Sequence, residues 1–573
     1  PSDPGQELLI GYIGDTDKGV PDFSYLRPLL HDGVQLNLIR PRRSHDGILY
    51  PELIVYEPDL LTDISAVAGC FETYTTSATV HLLKRLMPPP SGDAINLGNF
   101  AGQLLDEIIH NDDSSYAESA LRFFRQHALA LSAEPPAPQF HSDAKKQIEH
   151  IHHAVDVQMP GEVSSFDRTR LMVEPTFFSE MLGLQGRMDF LQLDLKILAE
   201  QKSGNGEWPQ GNYDVPRMRL PHYVQLLLYM AIIRYNFARQ YRDNNEELHA
   251  FLMYSRYKQS LLRLGFAPGL LLQAMEIRNR IVADELKFSR EGFGFLVTTT
   301  AESLNTSGRD TALWKRFTLP KLHQILDPIH NASDTERAYF LRFMRFIARE
   351  HILSKTGNRQ KEGHGFASTW HDSLEDKLDA GNIYPGMRMN YDFPDKEKIE
   401  TLELFFPDST ACDMANFRKG DIVVLYPYDV GEIPDVRRNM VFRCTIEEIG
   451  ADNIIVRLRA AQSGPAPFEI NRDRLWAIEH DFIESSYSSL YRGMHAFLTA
   501  TQARRDLILF KRRPQVRSRK LIGDYGRFNS LASRVASACD LFLIIGPPGT
   551  GKTSYGMLTT VQEELHHPES NII

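Results

Sequence analysis

The chain is short of the features that mark several large classes of protein. Cysteine is scarce: four in 573 residues (Cys70, Cys412, Cys444, Cys539), far apart and without a C-x-x-C pair. That spacing excludes a disulfide framework and indicates no zinc site. No run of about 18 apolar residues occurs, so neither a transmembrane helix nor a membrane partner is expected. No secretory signal is visible, although the first residue is Pro1 and not Met. These absences point to a reduced setting, the cytoplasm, or the nucleus if the source is eukaryotic. Positive charge is not in excess either: Lys and Arg number 64 against 74 Asp and Glu, a net charge of −10. A general basic coat for nucleic acid is thereby excluded, but local basic tracks are not. What is present is ordinary globular composition, 42% hydrophobic and 24% charged, over a length that suits about three to five domains.

The most informative stretch runs from Gly186 to Lys202, GRMDFLQLDLKILAEQK. Two apolar runs flank a turn at Asp194-Leu195. If they pair antiparallel, Asp189 falls directly opposite Glu200. Glu200 and Lys202 are two apart on one strand and share a face. An E-x-K triplet alone is common as a solvated ion pair. Here the flanks are apolar (Phe190, Leu191, Leu193; Leu195, Ile197, Leu198, Ala199), and a charge in a buried strand requires a partner or ligand. Two converging carboxylates suit Mg²⁺ or Mn²⁺, and a neighbouring ammonium can orient water or stabilise charge on a phosphate. Downstream, His222 to Tyr229 reads as a helix after Pro221, with Gln225 and Tyr229 one turn apart on one face.

G-x-x-D, E-x-K and Q-x-x-x-Y, in that order and at these separations, resemble the RecB-type branch of the PD-(D/E)xK nuclease superfamily. The resemblance implies that Asp189 and Glu200 hold the metal, with the carbonyl of Gln201 a possible third ligand. It makes Lys202 the catalytic lysine and Gln225 and Tyr229 the supporting helix pair. The order of the flanking pieces resembles the family of nuclease–helicases that trim Okazaki flaps in eukaryotes. Those carry iron–sulfur cysteines, one near the position of Cys70 and three after the nuclease core. Here no cysteine lies between Tyr229 and Cys412, so no iron–sulfur cluster is expected. RecB-type nucleases often place a metal-binding histidine four residues after a glycine on an early helix. Here Gly98 is followed by Gly102 at that spacing, and Asp106, Glu107 or His110 are the candidate substitutes.

Taken in order, residues 1–58 read as a β-rich domain, a small barrel or sheet with a basic cluster at Arg40, Arg42 and Arg43. Residues 59–300 form the nuclease domain. It opens on a helix at Ile64 with Asp63 as a plausible cap, followed by one from Asn99 to His110 with Phe100, Leu104, Leu105, Ile108 and Ile109 on its apolar face. His141, His150, His152 and His153 read as a hydrated helix face, not a metal site. Residues 301–395 read as a helical connector on which Arg342, Arg345 and Arg349 share a face. Residues 396–482 switch to strand periodicity and are expected to close as a small β-barrel. Residues 483–530 form a helical stalk and a linker in which six of the ten residues 511–520 are basic.

Residues 531–573 begin a RecA-like domain. Leu541 to Ile545 is a continuous apolar run, as a buried parallel strand is. Gly546, Pro547, Pro548, Gly549, Thr550, Gly551, Lys552 and Thr553 follow as a P-loop, G-x-x-x-x-G-K-T. Its backbone amides would cradle ATP phosphates, Lys552 would reach the β- and γ-phosphates, and Thr553 would ligate Mg²⁺. The wording resembles superfamily 1 helicases, and the barrel placed before it resembles the insert of the 1B branch. The upstream glutamine that reads adenine in such helicases is not found around Phe528 to Ser533. Twenty residues after Thr553 leave no room for a second acidic motif or a second lobe, so the natural protein is expected to continue.

The expectation is therefore an α/β multidomain protein: a PD-(D/E)xK nuclease core, a helical connector, a small β-barrel and the start of a P-loop, RecA-like domain. The implied activity is metal-dependent hydrolysis of DNA, single-stranded or at flaps and ends, coupled to an ATP-dependent helicase motor in DNA processing, repair or defence. The alternative is a decayed nuclease fold that binds nucleic acid and carries an NTP-binding regulatory domain. Oligomeric state, polarity and the choice of DNA over RNA are not encoded in these motifs.

Overall fold

In the computed structural model, described here for residues 7–14, 19–88, 92–111, 114–207, 214–243, 248–357, 365–393, 398–407, 415–481 and 485–570, the chain divides into two compact units. The first comprises residues 1–330 and 341–494, the second residues 331–340 and 495–573. The protein is mixed α/β. Among the described residues, no helix is long and apolar enough to cross a membrane.

The first unit is built around a five-stranded sheet. Its order is Leu261–Leu264, His249–Tyr254, Ile197–Lys202, Phe190–Gln192 and Leu171–Val173. The tight turn at Asp194-Leu195 joins two antiparallel strands, with Leu195 in the left-handed region (φ 61°). After Lys202 the chain crosses through the helix Leu220–Asn236 and returns as His249–Tyr254, parallel to Ile197–Lys202. A parallel return requires such a crossover, and burial on both faces explains the unbroken apolar run of the strand. The helices Asp93–Ile109 and Phe140–His153 cover one face. Phe100, Leu104, Leu105, Ile108 and Ile109 are all buried there, as the periodicity predicts. A second, three-stranded sheet pairs Leu184–Arg187 with Thr62–Asp63 and Thr176–Ser179. Asp189 therefore lies where the chain leaves one sheet and enters the other.

The N-terminal segment forms two-stranded sheets among the described residues, Leu36–Ile39 with Leu53–Tyr56 and Arg42–Arg43 with Leu49–Tyr50, the second of the two forms expected for it. Its apolar side is completed by the helix Pro268–Glu291 through Val282 and neighbouring side chains. Arg278 of that helix is fully buried and donates to the carbonyls of Gly183, Tyr56, Glu57 and Leu60, which makes it an internal bolt. Gly183 (φ 61°) permits this, because any side chain there would overlap the Arg278 guanidinium. Asp63 does not cap the helix Ile64–Ala68 with its side chain; its Oδ1 accepts from Gln185 Nε2 at 2.7 Å.

The barrel closes with six strands, in the order Ile383–Met389, Ile399–Phe405, Asn453–Gln462, Phe442–Ile449, Ile422–Tyr428 and Leu475–His480. Its first strand begins inside the stretch expected as helical connector. Pro385 and Gly386 disguise it, and its alternation is legible only with its partners in place. Gln462 joins barrel to sheet: buried, it accepts from Val173 N at 3.0 Å and donates to Val173 O at 2.9 Å.

The second unit carries the segment from Gln502 onward. Leu541 to Ile545 is not a strand and not buried; Ile545 is 93% exposed. Strand propensity does not suffice without a hydrogen-bonding neighbour, and none pairs with this run among the described residues. The basic linker is partly neutralised within the unit, with Arg512 on Asp540 (3.0 Å) and Arg519 on Glu564 (3.0 Å). Residues 358–364 and Cys412 lie outside the described residues.

Candidate active site

Phe190 pairs with Ala199 and Leu191 with Leu198. Continued by one residue, this register sets Asp189 across from Glu200. On the other side Phe190 pairs with Val173, and Glu174 N donates to Asp189 O at 2.8 Å. Asp189 and Glu200 thus follow one row, and Glu174, left-handed at φ 50° just past its strand, is tied to that row by its backbone bond to Asp189.

The hydrogen bonds fix each group. Glu200 is 4% exposed. Its Oε1 accepts from Lys202 Nζ at 2.7 Å and from Gln225 Nε2 at 2.6 Å. Lys202 Nζ also donates to Gln225 Oε1 at 3.0 Å, closing a three-membered ring of partners. Glu200 Oε2 is buried and accepts nothing. Asp189 Oδ2 accepts the backbone N–H of Gln201. Tyr229 OH donates to Arg187 O. Tyr229 also packs on Gly186, where a Cβ would stand 2.9 Å from its ring, so the glycine of G-x-x-D makes room for the tyrosine of Q-x-x-x-Y.

The electrostatics show acids crowded out of water. Burial, then the charge of Asp189, pushes the Glu200 carboxyl up to about 8, against the pull of Lys202. Burial raises Asp189 too, opposed by Lys202 and by the Gln201 N–H. Asp106 is pushed well above the usual carboxylate range by burial, then by Glu174 and Asp189. Glu174 is raised by burial and relieved by Arg187. Burial holds His222 down to about 3, helped by Lys202, while its Nδ1 bonds Tyr254 OH at 2.8 Å. Acids whose charged forms are disfavoured by burial and mutual repulsion are acids that a cation would relieve.

Sequence reasoning named three substitutes for the early histidine, and the structure separates them. Glu107 is taken by Arg122 (2.9 Å), and His110 Nε2 lies 3.0 Å from Ala461 O. Asp106 faces the acids. Gly102 is followed four residues later by Asp106, the same spacing one turn beyond Gly98. Glu174 and Arg187 were not singled out. Among the described residues, no three His, Cys, Asp or Glu side chains already form a closed metal cage. A site with two carboxylates and one orphaned oxygen still fits Mg²⁺, which keeps several waters and binds through one or two carboxylates.

In the stretch Gly546 to Thr553, Gly549 (φ 78°) and Gly551 (φ 77°) adopt the left-handed conformation that glycine allows. Lys552 Nζ donates to Gly546 O and to Pro547 O (3.0 Å), and Thr550 Oγ1 donates to Pro547 O at 2.7 Å. The ammonium caps its own loop.

No protein family and no curated protein matches the chain. Among solved structures, a candidate exonuclease from Eubacterium rectale aligns at 13% identity over 40% of this chain and 81% of its own, with a TM-score of 0.26. A likeness that slight carries no argument, and the reading of the site rests on its geometry.

Proposed function

We propose that the first unit is a metal-dependent nuclease that hydrolyses phosphodiester bonds in DNA. The observation that carries the reading is Glu200: one oxygen held by Lys202 and Gln225, the other buried, orphaned and on the row of Asp189. Asp189 and Glu200 would hold Mg²⁺ or Mn²⁺, joined by Asp106 and by the carbonyl of Gln201. The N–H and C=O of one extended residue face the same strand edge, and the Gln201 N–H already meets Asp189. The bound ion would supply a water of lowered pKa and neutralise charge at the phosphate. Lys202 places an ammonium beside that position, where it orients the water or stabilises the charge that builds in hydrolysis. Gln225 fixes Glu200 and Lys202 with one amide, and Tyr229 fixes the backbone that carries Arg187.

For the second unit the reading is nucleotide binding at Gly546–Thr553, supported by the left-handed glycines and the lysine already lying on the loop. Bound ATP would draw Lys552 off its own carbonyls onto the β- and γ-phosphates, with Thr553 toward Mg²⁺. Helicase action coupled to cleavage extends this proposal and rests on the sequence resemblance. Incubating labelled single-stranded and flap DNA with Mn²⁺, with and without ATP, tests both: metal-dependent fragments support the nuclease, and no fragment in any condition removes it.

A further inference from the structure

Arg187 is the cation at the mouth of the acid row. It ends the strand Leu184–Arg187, two residues before Asp189. Its side chain is 50% exposed, against 21% for Lys202, which is committed to Glu200 and Gln225. Its one ion pair among the described residues is with Glu174, Nη1 to Oε2 at 2.8 Å. Glu174 is the acid across from Asp189 on the opposite side to Glu200. Arg187 is also placed by the helix pair: Tyr229 OH holds its carbonyl, and Gly186 lets that tyrosine approach. Two members of the G-x-x-D and Q-x-x-x-Y motifs thus position a guanidinium that neither motif names.

A DNA strand approaching four acids (Asp106, Glu174, Asp189, Glu200) meets repulsion before it meets any ligand. A half-exposed guanidinium at the rim offsets this, and its planar fork matches two oxygens of a phosphate as well as two of a carboxylate. Resting on the nuclease reading above, we propose that Arg187 is a substrate-phosphate-binding residue. It exchanges the Glu174 carboxylate for non-bridging oxygens of the nucleic-acid backbone, and Glu174 is its resting counter-ion. No bond is made or broken in this exchange; an ion pair is replaced by another.

The test needs no metal. Binding of a fluorescein-labelled oligo-dT to the full chain is followed by anisotropy in EDTA over a range of salt, for wild type, Arg187→Gln, Arg187→Lys and Glu174→Gln. Arg187→Gln is expected to weaken binding about 10-fold and to flatten the salt slope by about 0.7, one phosphate contact on a single strand. Arg187→Lys should keep the slope and recover part of the affinity. Glu174→Gln should tighten binding several-fold, an effect lost when combined with Arg187→Gln. With Mn²⁺ added, Arg187→Gln should raise KM more than it lowers kcat. If Arg187→Gln binds with wild-type affinity and slope while wild type binds and cleaves, the assignment is overturned and the nuclease stands. Wild type that neither binds nor cleaves overturns the nuclease reading and this proposal together.

Discussion

Gln225 Nε2 lies 2.6 Å from Glu200 Oε1, and the same amide accepts from Lys202 at 3.0 Å. One side chain from the crossover helix therefore sets both the acid and the ammonium of the E-x-K strand. Gln225→Ala removes both contacts while leaving the acids in place. It is expected to lower cleavage about 10–100-fold, the range for loss of a group that orients a metal ligand. Unchanged kcat/KM in Gln225→Ala would show that the amide is only packing.

The pH dependence follows from Glu200. Burial and the charge of Asp189 push its carboxyl up to about 8, from about 4.5 for a free side chain. Between those values the folded state binds the extra proton, so this group's contribution to metal-free stability falls as pH rises from about 5 to 8. A divalent ion must displace that proton. Mn²⁺ affinity should rise with pH up to about 8, with protons released on binding at pH 7. Calorimetry in buffers of different ionisation heat reads both, and Glu200→Gln should lower the proton release.

Asp106 distinguishes the early helix's three candidates. Asp106→Asn should weaken Mn²⁺ binding about 10-fold or more, while Glu107→Gln and His110→Ala leave it within about twofold. Metal titration of the three variants decides it, and an effect at His110 in place of Asp106 would reverse the assignment.

The two units should separate genetically. Lys552→Ala is expected to end ATP binding, measured with a fluorescent ATP analogue, and to leave Mn²⁺-dependent cleavage within about twofold. Loss of cleavage in Lys552→Ala would mean that the nuclease depends on the P-loop.

Much of the site was legible because a tight turn fixes register. Once Asp194-Leu195 is read as the turn, Asp189 must face Glu200, and period-two geometry places Lys202 beside it. Helical spacing put Gln225 and Tyr229 on one face, and their place beside the acids came from the resemblance. Glu174 was not: it precedes Pro175, has a left-handed backbone (φ 50°) and belongs to the row only through its neighbour's pairing. Arg187 carries no signal of its own in the sequence, because its surroundings depend on where three other elements bring their acids. The run Leu541 to Ile545 shows the converse. Its composition is that of a buried strand, but pairing comes from partners and not from the segment itself.

The central claim is that Asp189 and Glu200 hold a divalent ion beside Lys202 for phosphodiester hydrolysis. Its most direct test is the single-turnover rate of Mn²⁺-dependent cleavage of end-labelled single-stranded DNA by wild type, Asp189→Ala and Lys202→Ala. Asp189→Ala should lose both Mn²⁺ binding and cleavage, and Lys202→Ala should bind Mn²⁺ yet cleave at least about 100-fold more slowly. Cleavage at the wild-type rate by either variant would contradict the account.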